Sequence, residues 1–294
     1  MNPLPKRTRI TYLGLFGVLS VVLIPLAIFY ASGYRLDILS GFSFTSTGGV
    51  YISVPLSDAH VSINGKEEGM TNLFSRSFYV DNLTPGSYAV HVARDGSYPW
   101  YRTLIVEPGL VTDVQALLAP QRVEPVRLIR STASSTASTT RQVARVQYDA
   151  YLELFTHATT TRPSTLPLVS TSTPPVSEPD DTQGGFELYL EGGAVRLHWA
   201  RSTSSIPSAL CVRPSSCVRD FLLKKGKEQV VYARFWGGGV VYTTRESGIY
   251  LAEIDVRPTP LTVPLYPRRN SDFRISGGEL IIKDGTSLYQ IDSF

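Results

Sequence analysis

Histidine, cysteine and tryptophan are scarce in this chain of 294 residues, at four, two and three copies. The histidines (His60, His91, His157 and His198) are scattered, which provides no nucleophile–base constellation. Two thiols without nearby histidines make an incomplete metal-ligand set. Charge is sparse too: 18% of residues are charged and the formal net charge is +3. About that much comes from Lys6, Arg7 and Arg9 near the N-terminus, so the remainder is close to neutral. No stripe of lysine and arginine interleaves with aromatics, and a nucleic-acid partner has no footprint here. Also missing are a G-x-S-x-G elbow, a Walker loop, a strand-borne G-x-G-x-x-G and an H-E-x-x-H pair. These absences leave no expected cofactor or metal and no reaction centre.

One long apolar run is present. ITYLGLFGVLSVVLIPLAIFYASGY, between Arg9 and Arg35, holds no charge over about 25 residues, enough for a helix to cross a hydrocarbon core. The positive-inside bias of Lys6, Arg7 and Arg9 places residues 1–9 in the cytoplasm and exports the chain beyond Tyr34. Residues 10–34 therefore read as an uncleaved signal-anchor in contact with the lipid bilayer. A cleaved signal peptide and a buried core helix are the competing readings. The peptide fits less well because the run is long and Phe29 and Tyr30 interrupt any small-residue cleavage site.

Beyond the run no period of 3.6 is sustained, whereas Gly, Pro, Tyr, Thr and Val abound, which predicts a mainly β protein with many turns. Residues 35–48 read as a short stalk. Alternation begins in Val50–Val54 and Ala59–Ile63, and Asn64-Gly65 is a strong hairpin signal. SRSFYV (75–80), SYAVHVA (87–93), YRTLIV (101–106) and VTDVQALL (111–118) come next, separated by Thr84-Pro85-Gly86, Asp95-Gly96 and Pro108-Gly109. Short strands bounded this way predict a small β-sandwich over 49–121.

The same residues carry a resemblance. VSINGKEEGMT followed by LTPGSYAVHVARDGSYPWYRTLIVEPGLVTDVQALLAP resembles the PEGA family, a compact β-sandwich of bacterial and archaeal envelope proteins. Val61–Gly65, Gly69, Thr71, Leu83, Pro85, Gly86, Tyr88, Val90, Val92, Gly96, Trp100, Val106, Gly109, Leu118 and Pro120 fit its pattern. Ser97, inserted before Tyr98, and Asn72, where proline often stands, depart from it within turns. The resemblance implies an envelope setting and no catalysis. Tyr98, Trp100 and Tyr101 are candidate binding-surface aromatics, with burial of at least one ring in the core as the alternative.

Residues 122–294 read differently. STASSTASTT (131–140) and the Ser/Thr/Pro-rich tract 158–183 are expected as disordered loops. Between and after them come strand-like phrases at 141–156, 186–200, 230–255 and 273–294. The last two align as strand, Gly-Gly, strand, turn, strand, which suggests a hairpin-repeat, propeller-like domain. Three or four such units leave open an incomplete propeller, stacked hairpins or one part of a larger assembly. Gly237-Gly238-Gly239 reads as a turn between strands. Asp255, Asp272, Asp284 and Asp292 lie near strand ends and are expected as solvated turn residues. A glycosidase would need two of them facing each other. Cys211 and Cys217 (CVRPSSC) suit a short disulfide loop, with free thiols or a metal site as alternatives.

Together these features predict a non-catalytic, single-pass membrane protein presenting extracytoplasmic β domains to cell-wall glycan, a surface-layer component or an envelope protein. A sensory accessory subunit of a membrane complex and a glycan hydrolase are the alternatives.

Overall fold

The computed structural model of the chain describes residues 6–31, 33–37, 43–72, 74–130, 140–156, 179–224 and 228–293. Among them the protein is mainly β, with two α-helices and several small sheets.

The apolar run forms α1 (Lys6–Ala31), and its stretch Ile10–Tyr30 has a mean hydropathy of 2.4 with none of it buried. A core helix would be covered by the sheets. This one is bare, and it is long and apolar enough to span a membrane in a single pass. It starts earlier than residue 10, within the basic tail, and stops before residue 34. Gly33 turns into the left-handed region and bonds the Tyr30 carbonyl at 3.1 Å, and Tyr34 already belongs to a strand. The residues expected as a stalk hold the antiparallel pair β1 (Tyr34–Asp37) and β2 (Ser43–Ser46). Thr47 then bonds back to the Gly33 carbonyl through its N–H (2.8 Å) and hydroxyl (2.7 Å), and its own carbonyl accepts the Gly109 N–H at 2.9 Å. The helix end is thereby tied to the domain after it.

That domain is sandwich-like. Its strands are β3 (Gly48–Ser53), β4 (His60–Ile63), β5 (Lys66–Met70), β6 (Ser77–Leu83), β7 (Gly86–Ala93), β8 (Trp100–Val106) and β9 (Val111–Gln115). One sheet runs β6-β3-β9, with β3 and β9 parallel, and the other runs β5-β4-β7-β8. Alternation aims Val50 and Ile52, Val61 and Ile63, Val90 and Val92, and Trp100 and Leu104 into one core between them. Asn64 (φ 50°) and Gly65 (φ 80°) make the β4–β5 turn, which needs left-handed backbone at both positions.

Next come β10 (Val126–Arg130), β11 (Thr140–Val143) and α2 (Arg145–Thr156). Here the expected strand over 141–156 is corrected: only its start is extended. Tyr148, Tyr151, Leu152 and Phe155 recur at helical spacing, and Tyr151 and Phe155 bury against Leu128, Ile281 and Leu288. Of the two tracts expected as disordered, residues 131–139 and 158–178 lie outside the described residues. The described end of the second is ordered as β12 (Asp181–Gln183).

β12 pairs into a sheet with β13 (Phe186–Glu191), β14 (Ala194–Trp199) and, beyond the small hairpin β15 (Cys211–Arg213) and β16 (Ser216–Cys217), β17 (Asp220–Lys224). A second sheet is the meander β18 (Val230–Trp236), β19 (Gly239–Thr244), β20 (Gly248–Glu253), β21 (Thr262–Tyr266). The third comprises β22 (Asp272–Ser276), β23 (Glu279–Asp284) and β24 (Ser287–Ile291), and β24 pairs with β10 from just after the sandwich. Each sheet has a hairpin closed by two left-handed glycines, at 192–193, 237–238 and 277–278, and the first sheet has another at 184–185. This common turn is the structural content of the internal repeat.

Candidate functional site

The sandwich meets the second sheet through buried charge. On β8 the inward phase reads Trp100, Arg102, Leu104, Val106, so an arginine takes a position where alternation calls for an apolar side chain. Its side chain is 2% exposed. It finds its partners at the end of β20 and in the loop after it. The Arg102 Nη2 bonds Glu253 Oε2, its Nη1 bonds the Thr259 carbonyl at 2.6 Å, and its Nε reaches Asp255 Oδ2 at 3.4 Å. Trp100 donates its indole N–H to Glu253 Oε1 at 2.7 Å, and the Leu261 N–H bonds Glu253 Oε2 at 3.0 Å. Asp255 Oδ1 accepts the Arg257 N–H (2.8 Å) and Nε–H (2.9 Å). Arg257 Nη2 then donates to the Ser208 carbonyl at 3.0 Å.

Two arginines and two carboxylates, all buried, thus sum to no net charge. Desolvating four ions is costly, and full hydrogen bonding offsets that cost; removing one partner alone typically costs about 3–5 kcal/mol. Burial is the largest influence on Glu253 and raises its carboxyl above the ordinary value. Arg102, the Trp100 indole and the Leu261 N–H oppose that shift, and Asp255 adds to it.

Glu253, Asp255 and Arg257 of this network line a cleft of about 610 Å³. Tyr51, Ser53, Asp113 and Gln115, from the outer face of β3 and β9, make one wall. Pro207–Ala209 and the Gly237-Gly238 turn make the other. A second clamp ties the β15–β16 hairpin to the sandwich. A disulfide joins Cys211 to Cys217 across β15 and β16. In the turn between them, Ser215 donates its N–H (2.8 Å) and hydroxyl (2.7 Å) to the two oxygens of Glu107, on the β8–β9 turn. Those bonds, with Arg213 nearby, hold the Glu107 carboxyl below its usual range. Ser208 adds a hydroxyl bond to Asp113 at 3.0 Å.

The three aromatics Tyr98, Trp100 and Tyr101 do not form one surface. Trp100 is fully buried in the sandwich core. Tyr98 is half-buried against the cluster around Trp236 and Phe273. Tyr101 remains exposed, its ring 4.6 Å from that of His91. Among the carboxylates, Asp255 departs from expectation, being buried between Arg102 and Arg257. Asp272 pairs with Arg274, and Asp284 accepts the Tyr266 hydroxyl at 2.7 Å. Asp292 bonds Gln290. His60 bonds Glu67 and His198 bonds Asp220. His157 lies outside the described residues. No cluster of three or more His, Cys, Asp or Glu is placed to hold a metal among the described residues.

Sequence reasoning missed Arg102, Glu253 and Arg257. One signal was there: Arg102 stands in the buried phase of its strand. Glu253 aligns with Gln290 when IYLAEID is set against LYQID, and both are buried polar residues. The arrangement can join two β units rigidly and offer a concave surface between them. No protein-family model matches this chain, and no curated protein matches it either.

Proposed function

We propose that this protein is a single-pass, membrane-anchored binding protein that performs no reaction. In this reading α1 crosses the bilayer with Lys6 and Arg7 on the cytoplasmic side, and the β units stand outside the membrane. The sandwich is of PEGA type, and the three sheets behind it form a small propeller-like body closed by the β10–β24 pairing. Material of the cell envelope, such as wall glycan or an envelope protein, binds the exposed β surface.

The observation that carries this reading is the contrast between a helix with bare apolar sides and the interlocked body after it. The carboxylates nearest each other at the junction, Glu253 and Asp255, are engaged by arginine and tryptophan, which favours holding over proton transfer.

The test uses the full chain. Protease added outside intact cells should digest the β units and leave α1 protected, and the chain reconstituted in nanodiscs should be retained on isolated envelope material. Protection of the β units from external protease contradicts the topology. Absence of retention contradicts the binding role.

A further inference from the structure

The outer face of β6-β3-β9 is a grid set by strand register. Tyr79, Tyr51 and Asp113 share one row; Ser77, Ser53 and Gln115 share the next. Tyr51 is 39% exposed and Tyr79 58%, so two tyrosines paired in register both reach water. Tyr79 is held there by the absence of a side chain at Gly49. A Cβ at that position would come within 2.9 Å of the tyrosine ring, so the ring packs against the strand backbone. Among the described residues, the Tyr51 hydroxyl and the side chains of Ser53 and Gln115 have no hydrogen-bond partner, and the Asp113 carboxylate uses only Oδ2, for Ser208.

This face continues into the cleft, where Tyr51, Ser53, Asp113 and Gln115 form a wall. We infer that the Tyr79–Tyr51 row and the cleft beside it bind a neutral chain of pyranose sugars. The inference rests on the binding role proposed above and names its ligand class. A pyranose presents an apolar C–H face that packs on an aromatic ring and a rim of hydroxyls that both donate and accept. The wall supplies that complement: two tyrosine rings, hydroxyls, an amide and one free carboxylate oxygen. Charge selects against an anionic ligand: Arg102 and Arg257 neutralise Glu253 and Asp255, and the Asp113 carboxylate on the wall is left without a cation among the described residues. Across the cleft, Gly237 and Gly238 carry no side chains and leave room for rings to enter. A volume of about 610 Å³ suits a few sugar units and is concave, unlike a flat protein interface.

The test titrates full-length protein in nanodiscs, free of sugar detergents, with cellotetraose, chitotetraose and maltotetraose by calorimetry. Binding of at least one tetrasaccharide is expected. Tyr51→Ala and Gln115→Ala should each weaken it by about tenfold or more. Val146→Ala, at an exposed position of α2, should bind as the parent does, and circular dichroism should show every variant folded. The inference is overturned if none of the three binds at about 10 mM, if Tyr51→Ala binds normally, or if Val146→Ala weakens binding equally. Capture of an envelope protein that is lost in Tyr51→Ala and not competed by the tetrasaccharides also overturns it, while leaving the binding role standing.

Discussion

Trp100, in the core of the sandwich, donates its indole N–H at 2.7 Å to Glu253, which lies 153 residues further along the chain. The bond joins two hydrophobic cores, because Arg102 beside Trp100 is held by the same carboxylate. The sandwich and the second sheet should therefore unfold together.

Glu253→Ala should be among the most damaging single changes in the protein. It leaves Arg102 with the longer Asp255 contact as its remaining ion pair, beside its bonds to the Tyr101 and Thr259 carbonyls, and strands the Trp100 N–H in a dry interior. A loss of about 3–5 kcal/mol is expected. Urea unfolding followed by both tryptophan fluorescence and circular dichroism measures it, and a variant within about 1 kcal/mol of the parent would refute the role given to this carboxylate.

Arg102→Met should be nearly as harmful alone, since it buries Glu253 without its cation. Combined with Glu253→Met it should recover much of the loss, because an apolar pair of similar volume avoids desolvating both ions. The double-mutant cycle should show a coupling of about 1–3 kcal/mol. Strict additivity would mean that the two side chains do not act as a pair.

Glu107 and Glu253 should respond oppositely to pH. The folded pKa of Glu107 is lowered, so its clamp on Ser215 is fully present above the ordinary carboxyl value and is lost as pH falls through the lowered one. Glu253 is raised, so its contribution is fullest at low pH and declines as pH rises through its folded value. Hydrogen exchange at the Ser215 amide should show protection at neutral pH that fades in acid, and Glu107→Gln should remove that pH dependence.

Reduction of the Cys211–Cys217 bond should cost about 2 kcal/mol, as expected for a short loop. The effect should be local. Exchange should rise in residues 208–218, including the Ser215 amide, with the strands of the sandwich unchanged. Uniform loosening of the whole chain on reduction would show that the hairpin does more than hold the Glu107 contact.

Much of the fold was legible because it is written in local chemistry. The pairs Val50/Ile52, Val61/Ile63 and Val90/Val92 announced strands by alternation, and Asn64-Gly65 announced a turn by its tolerance of left-handed backbone. α2 was misread because Tyr148, Tyr151 and Phe155 have strand-favouring rings, and their helical spacing was passed over. The junction was hidden for a different reason. Alternation tells that Arg102 points inward, but not which carboxylate, some 150 residues away, will meet it. The cleft shares that obscurity, since its walls come from β3, β9, the 207–209 segment and the 237–238 turn.

The most direct test of the joined body is a distance measured across it. Spin labels on Tyr101 of the sandwich and Val231 of the second sheet, both exposed, would report their separation by pulsed electron resonance in the full chain. A single narrow distribution is expected, broadening in Glu253→Ala. A broad distribution in the parent, unchanged by Glu253→Ala, would contradict the buried junction as the element that makes these β units one.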